Sequence, residues 1–150
     1  MTILIHPLTH ADAPTAARLV AALIAELSPG YEVDLPALTR TASALLAQDT
    51  VLGLLATEDS EPVGLLMLNE CAAIYAGGHF GEITELYIAP HLRSQGLAAR
   101  LLDQAAQISR DRGWKRLEVG APDQPAWART KAFYERAGFT EVGRRLKRVF

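Results

Sequence analysis

The sequence has little cysteine, no long apolar run and no excess of charge. Cys71 is the one cysteine in 150 residues. No disulfide can form within the chain, so a reducing compartment is expected. Cys71 lies in an apolar stretch without a basic sequence neighbour, which favours a buried thiol over a nucleophile. Apolar runs are as short as Gly64–Leu68, so no membrane contact is expected. The formal net charge is −2, with acids and bases intermixed. That gives no electrostatic case for binding nucleic acid. His6, His10, His79 and His91 show no metal-ligand spacing and have no cysteine partners, so no metal site is expected. The N-terminus Met1–His6 lacks a basic segment and a cleavage site, and reads as a strand rather than a signal peptide. These absences point to a cytoplasmic protein.

What is present suffices for a core. The chain is 49% hydrophobic, and its length suggests one domain over residues 1–150. Residues 2–8 read as a strand. Thr9, Asp12 and Pro14 are start signals for a helix with the stripe Leu19, Val20, Leu23, Ile24 and Leu27, stopped at Ser28-Pro29-Gly30. A shorter helix over 36–48 turns Leu38, Leu45 and Leu46 inward. Strands at 50–57 and 62–70 flank a polar turn, which makes a hairpin. A strand at 80–89 runs into a helix over 94–112, with Leu97, Leu101, Leu102, Ala105 and Ile108 on its inner face and Gly113 at its end. Lys115–Gly120 reads as a strand, Pro125–Ala137 as a helix closed by Gly138, and the remainder as one or two strands. Periodicity alone licenses an α/β or α+β fold with one mixed sheet.

The most informative segment joins the 80–89 strand to the helix after it. Arg93-Ser94-Gln95-Gly96-Leu97-Ala98 forms a turn that opens a helix, which aims several backbone N–H groups at one point. The helix dipole favours negative charge there. Gly96 and Ala98 keep the turn free of bulk, so a phosphate can reach the main chain. No Gly-Lys-Ser/Thr follows, which excludes the Walker loop. G-x-G-x-x-G is also absent, which excludes the dinucleotide fingerprint.

The pattern R-x-x-G-x-A after Leu86-Tyr87-Ile88-Ala89-Pro90 resembles the acetyl-CoA signature of the GNAT (Gcn5-related) N-acetyltransferases. Lys131–Phe139 is similar to that family's late helix, A-x-x-F/L-Y-x-x-x-G-F. The resemblance covers roughly residues 80–143. It departs at Trp127, where many members carry an Asn that helps hold the pantetheine arm. It implies the GNAT fold, a mixed and mostly antiparallel twisted sheet flanked by helices in the order βααβββαβαβ(β). It also implies acetyl-CoA as acyl donor, an amine acceptor and frequent dimers. The implied cofactor contacts are Leu86, Tyr87, Ile88, Arg93, Ser94, Gln95, Gly96, Leu97, Ala98 and Ala99. A backbone N–H near Leu86–Ile88, at a bulge in that strand, would hold the oxyanion.

Acetyl transfer to an alkyl ammonium, with a pKa of about 10.4, needs a base at neutral pH. Glu82 and Glu85 are the candidates. Their odd spacing puts them on opposite faces of a strand unless a bulge intervenes. Counting back from Arg93, Glu82 matches the family's catalytic position and is preferred. A structural carboxylate paired to an Arg is the plain alternative for each. Tyr134 is the candidate proton donor to the departing thiolate, and a core aromatic is its plain alternative. Arg100 and His91 are weaker phosphate candidates. Tyr31, Glu32, Asp34, Tyr75 and His79 lie in loops that would flank the acceptor. Arg144, Arg145, Lys147 and Arg148 read as a solvated edge strand. Direct transfer through a ternary complex is the leading reading. A silent acyl-CoA-binding regulatory module and an acetylating toxin acting on aminoacyl-tRNA are its rivals.

Overall fold

Apolar residues at strand and helix spacing place the elements. In the computed structural model, residues 2–120, 128–143 and 145–150 are described. Strand β1 (Ile3–Pro7) leads through a single 3-10 turn into helix α1 (Ala13–Leu27). The Thr9 amide donates to Asp12 Oδ2 at 2.8 Å, which ties down this entry. Helix α2 (Leu35–Leu46) is capped by Asp34, whose Oδ1 accepts the Ala37 amide at 3.0 Å. Strands β2 (Val51–Glu58) and β3 (Glu61–Ala73) form the expected hairpin, with Asp59 and Ser60 at positive φ in a tight turn. Strand β4 (Gly78–Ile88), helix α3 (Leu97–Asp111), strand β5 (Leu117–Val119) and helix α4 (Ala128–Arg136) complete the order.

The sheet runs β1-β2-β3-β4-β5. It is antiparallel as far as β4, and β5 lies parallel to β4. Strand β3 is central and apolar on both faces. Leu66 and Leu68 face α3, packing with Leu101, Leu102 and Ala105. Leu65 and Met67 face α1 and α2, packing with Ala16, Val20 and Leu46. This alternation explains why the run Gly64–Leu68 is uninterrupted. Gly81 on β4 is required by close packing, since a Cβ there would stand 2.3 Å from the Trp114 ring.

Two sequence expectations need correction. Helix α3 begins at Leu97, not at 94, because Ser94 and Gly96 have φ of 62° and 85°, which no α-helix contains. No strand follows α4 among the described residues. The outer edge of the three-residue β5 offers only a short ladder to a further strand. Val142, Leu146, Val149 and Phe150 are all exposed. The expected helix start at Pro125, and Trp127 with it, lie outside the described residues.

Candidate active site

Two backbone irregularities lie at the C-terminal end of β4. The first is the turn Arg93–Gly96 before α3. Gly96 is left-handed, and no atom lies within 4 Å of the position a Cβ would take. The first amides of α3, at Leu97, Ala98 and Ala99, have no partner within the helix, as at any helix start. Gln95 Nε2 donates to the His91 carbonyl at 2.8 Å and braces the turn. Arg93 has its own partners. Its Nη2 donates to the two Glu26 oxygens at 2.6 and 2.8 Å, and its Nε donates to the Ile88 carbonyl at 2.9 Å. Its guanidinium also lies 5.7 Å from the centre of the Tyr87 ring. Arg93 therefore ties α1 to the end of β4.

The second irregularity is a bulge. Asn69 opposes Glu82, Leu68 opposes Ile83, and Met67 opposes Glu85, which leaves Thr84 as the extra residue on β4. The bulge cancels the odd spacing. Asn69 and Met67 share one face of β3, so Glu82 and Glu85 share one face of β4, the face towards α1 and α2. It lies earlier in β4 than the Leu86–Ile88 stretch expected from the resemblance. Strand β5 pairs with β4 only over Gly81–Ile83. Beyond that point the edge of β4 has no strand partner among the described residues.

The two carboxylates have different surroundings. Glu82 forms an ion pair with Arg145 of the C-terminal segment, an arginine that is solvated but lies in no strand. Glu85 accepts a hydrogen bond from the Thr84 hydroxyl. It also lines a solvent-open cavity of about 310 Å³ between α1, α2, β3 and β4. Ala16, Ala17 and Val20 of α1 form one wall, and Ala42 and Leu45 of α2 another. Leu45 faces this space although it is 40% exposed. None of Tyr31, Glu32, Asp34, Tyr75 or His79 lines it. Asp34 is instead the α2 cap, and Tyr31 and Tyr75 are exposed. The signal that marks the cavity in the sequence is the small-residue face of α1, with Ala13, Ala16 and Ala17 at helical spacing.

The model of the acetyltransferase (GNAT) family matches residues 18–139. The chain belongs to this family. No curated protein matches it in sequence. Among solved structures, it is similar to an integron cassette protein from the mobile metagenome of Cole Harbour Salt Marsh. That match has 28% identity and a TM-score of 0.82, and covers 97% of this chain and 89% of the other. A ribosomal-protein-alanine N-acetyltransferase from Brucella melitensis biovar Abortus 2308 shares 23% identity, with a TM-score of 0.76 and coverage of 99% and 100%. An aminoglycoside acetyltransferase from an uncultured soil metagenomic sample shares 22%, with a TM-score of 0.81 and coverage of 100% and 99%. The last two establish the fold alone.

GNAT members use acetyl-CoA as donor, and the open cradle over Gly96 fits a pyrophosphate at the start of α3. The remaining candidates of this acetyltransferase are distributed as follows. Tyr134 is buried in the core on the α3 side of the sheet, with the Phe133 and Phe139 rings 5.4 and 5.6 Å away. It does not converge with Glu82 and Glu85 on their face. Burial pushes its phenol up to about 12. Burial also raises the Cys71 thiol, which keeps it protonated and unreactive. His91 pairs with Glu58 at 2.9 Å. Arg100 is exposed, with Nη2 3.5 Å from the Ile3 carbonyl. Among the described residues no group of three acidic, histidine or cysteine side chains could hold a metal ion. No helix there is long and apolar enough to cross a membrane.

Proposed function

We propose that residues 1–150 form one cytoplasmic N-acetyltransferase domain. It transfers acetyl from acetyl-CoA to a primary amine of a small molecule or peptide, within a ternary complex. The observation that carries this reading is the bulge at Thr84. It turns Glu85 into the cavity, on a strand whose far end leads into the phosphate loop.

The amides of Gln95 to Ala99 hold the pyrophosphate. The Arg93 Nη1 is the donor left for a phosphate once Nε and Nη2 serve Ile88 and Glu26. The edge of β4 from Leu86 to Ile88, which β5 does not cover, receives the pantetheine arm. A backbone N–H there stabilises the oxyanion. Glu85 is placed ahead of Glu82 as the base, the reverse of the preference from sequence. Its carboxylate faces the cavity, whereas the Glu82 carboxylate is held by Arg145. The amine nitrogen attacks the thioester carbonyl and its proton passes to Glu85. The tetrahedral intermediate then collapses, the C–S bond breaks and the thiolate leaves. Tyr134 is the proposed hydrogen-bond donor to the developing sulfur charge. A thiol ionises at about 8.5, well below this phenol at about 12. Tyr134 would therefore share its proton with the thiolate rather than surrender it, and solvent would complete the thiol.

The test is release of free thiol from acetyl-CoA against a panel of amines, polyamines, amino acids, aminoglycosides and peptides. Acetyl-CoA binding without release for any acceptor would leave the silent regulatory module. Release only with aminoacyl-tRNA would leave the toxin.

A further inference from the structure

We infer that the acceptor is a small monoamine with an apolar body, bound in the cavity between α1, α2, β3 and β4. This rests on the transferase reading above. The cavity walls are aliphatic over most of their area, from Ala16, Val20 and Ala42 to Leu46 and Met67. Glu85 is the only charged side chain among the described residues that line it. Thr41, Gln48, Asn69 and Thr84 are the uncharged polar ones.

That inventory sorts the acceptors. One ammonium has one carboxylate to meet. A second or third ammonium, as in a polyamine or an aminoglycoside, would enter without a counter-charge, and an unpaired buried charge is strongly unfavourable. An amino acid would bring a carboxylate with no cation on the walls. The guanidinium groups of Arg93 and Arg145 are already taken up by Glu26 and Glu82. A sugar would carry more hydroxyls than the walls can satisfy. An alkyl or aryl chain replaces water against Ala, Val, Leu and Met at no such cost. The volume of about 310 Å³ corresponds to on the order of ten waters at the liquid value. That accommodates a short chain or one ring.

The experiment is calorimetric titration of the CoA-loaded protein with n-alkylamines from propyl to octyl, and with spermidine, lysine and kanamycin. Kd should fall about fourfold per added methylene until the cavity is full, then level off. Spermidine, lysine and kanamycin should bind at least tenfold more weakly than hexylamine. Ala42→Leu, which narrows the cavity, should move the plateau to shorter chains, and Val20→Ala should move it to longer ones. Circular dichroism shows that each variant is folded. If one is not, the other carries the test. Affinity independent of chain length, a plateau that neither folded variant moves, or tighter binding of spermidine or kanamycin would overturn the inference. Thiol release with the same amines separates the two readings. Alkylamines that bind without release sink the transferase, and release fastest with spermidine sinks only the acceptor class.

Discussion

Replacing Glu85 with Gln should disable the enzyme, whereas replacing Glu82 with Gln should not. Gln at 85 keeps an oxygen for the Thr84 hydroxyl and the same volume beside Met67, so the bulge and the cavity persist. What disappears is the basic group. At pH 7 an alkylamine with a pKa of about 10.4 is neutral in only about one molecule in 10³. The variant must wait for that fraction, so kcat should fall by roughly 10²–10⁴. The deficit should narrow as pH rises towards about 10, where solvent supplies the neutral amine itself. Glu82→Gln removes one partner of an ion pair whose Arg145 side chain is 60% exposed. An exposed pair of this kind contributes only about 0–1 kcal/mol to stability, and Glu82 takes no proton in the proposed reaction, so kcat should stay within about fivefold. The assay is initial-rate thiol release from pH 6.5 to 10 with the best acceptor, both variants in parallel. If Glu82→Gln shows the large, pH-dependent deficit and Glu85→Gln stays within fivefold, the role belongs to Glu82 and the cavity argument fails.

Gly96→Val places a branched side chain in the proposed pyrophosphate cradle and forces φ of 85° on a β-branched residue. The strain costs on the order of 1–2 kcal/mol, seen as a lower Tm, while CoA affinity measured by calorimetry should fall below detection. Normal CoA binding would refute the loop assignment. Tyr134→Phe removes only a hydroxyl and leaves the packing with Phe133 and Phe139 intact. If the phenol supports the leaving thiolate, kcat drops with little change in the Kd of acetyl-CoA, and less so for a donor with a more acidic thiol. An unchanged kcat, with chemistry rate-limiting, makes Tyr134 a core aromatic. The Trp114 indole N–H donates to Glu70 at 2.7 Å and, with Arg112, holds its carboxyl below the usual range. A depressed folded pKa stabilises the fold above the unfolded value of about 4.3 and is lost as pH falls below it. Glu70→Gln should therefore lower Tm at pH 7 and flatten its decline between pH 5 and 3. An equal decline in both proteins would exclude Glu70 as a source of acid sensitivity.

The elements of this fold were legible because each buries one repeating stripe. Leu97, Leu101, Leu102 and Ala105 keep helical spacing, and all four are buried. The turn before α3 was legible because its determinants are local. A strand end, a left-handed glycine and a helix start lie within a few residues, so their order along the chain is also their order in space. A strand after α4, which is absent among the described residues, depends on a partner edge that the chain itself does not reveal.

The cavity proposed for the acceptor was not legible, for the opposite reason. Its walls come from α1 and α2 on one side and β3 and β4 on the other, and the space between them exists because Ala16, Ala17 and Ala42 are small where the helices meet the sheet. Reasoning from sequence looked instead to polar loop residues, which the fold leaves at the surface. The bulge matters more. Phe80-Gly81-Glu82-Ile83-Thr84-Glu85 reads as regular alternation, with no glycine or proline at Thr84 to mark an interruption. The register is fixed by the α3-side core, where Leu68 meets Ile83 and Leu66 meets Leu86 although Ile83 and Leu86 are three residues apart on β4. One extra residue on β4 lets both pairings hold. The side of the sheet on which Glu85 stands is thus decided by the packing of a neighbouring strand rather than by the spacing of the two glutamates.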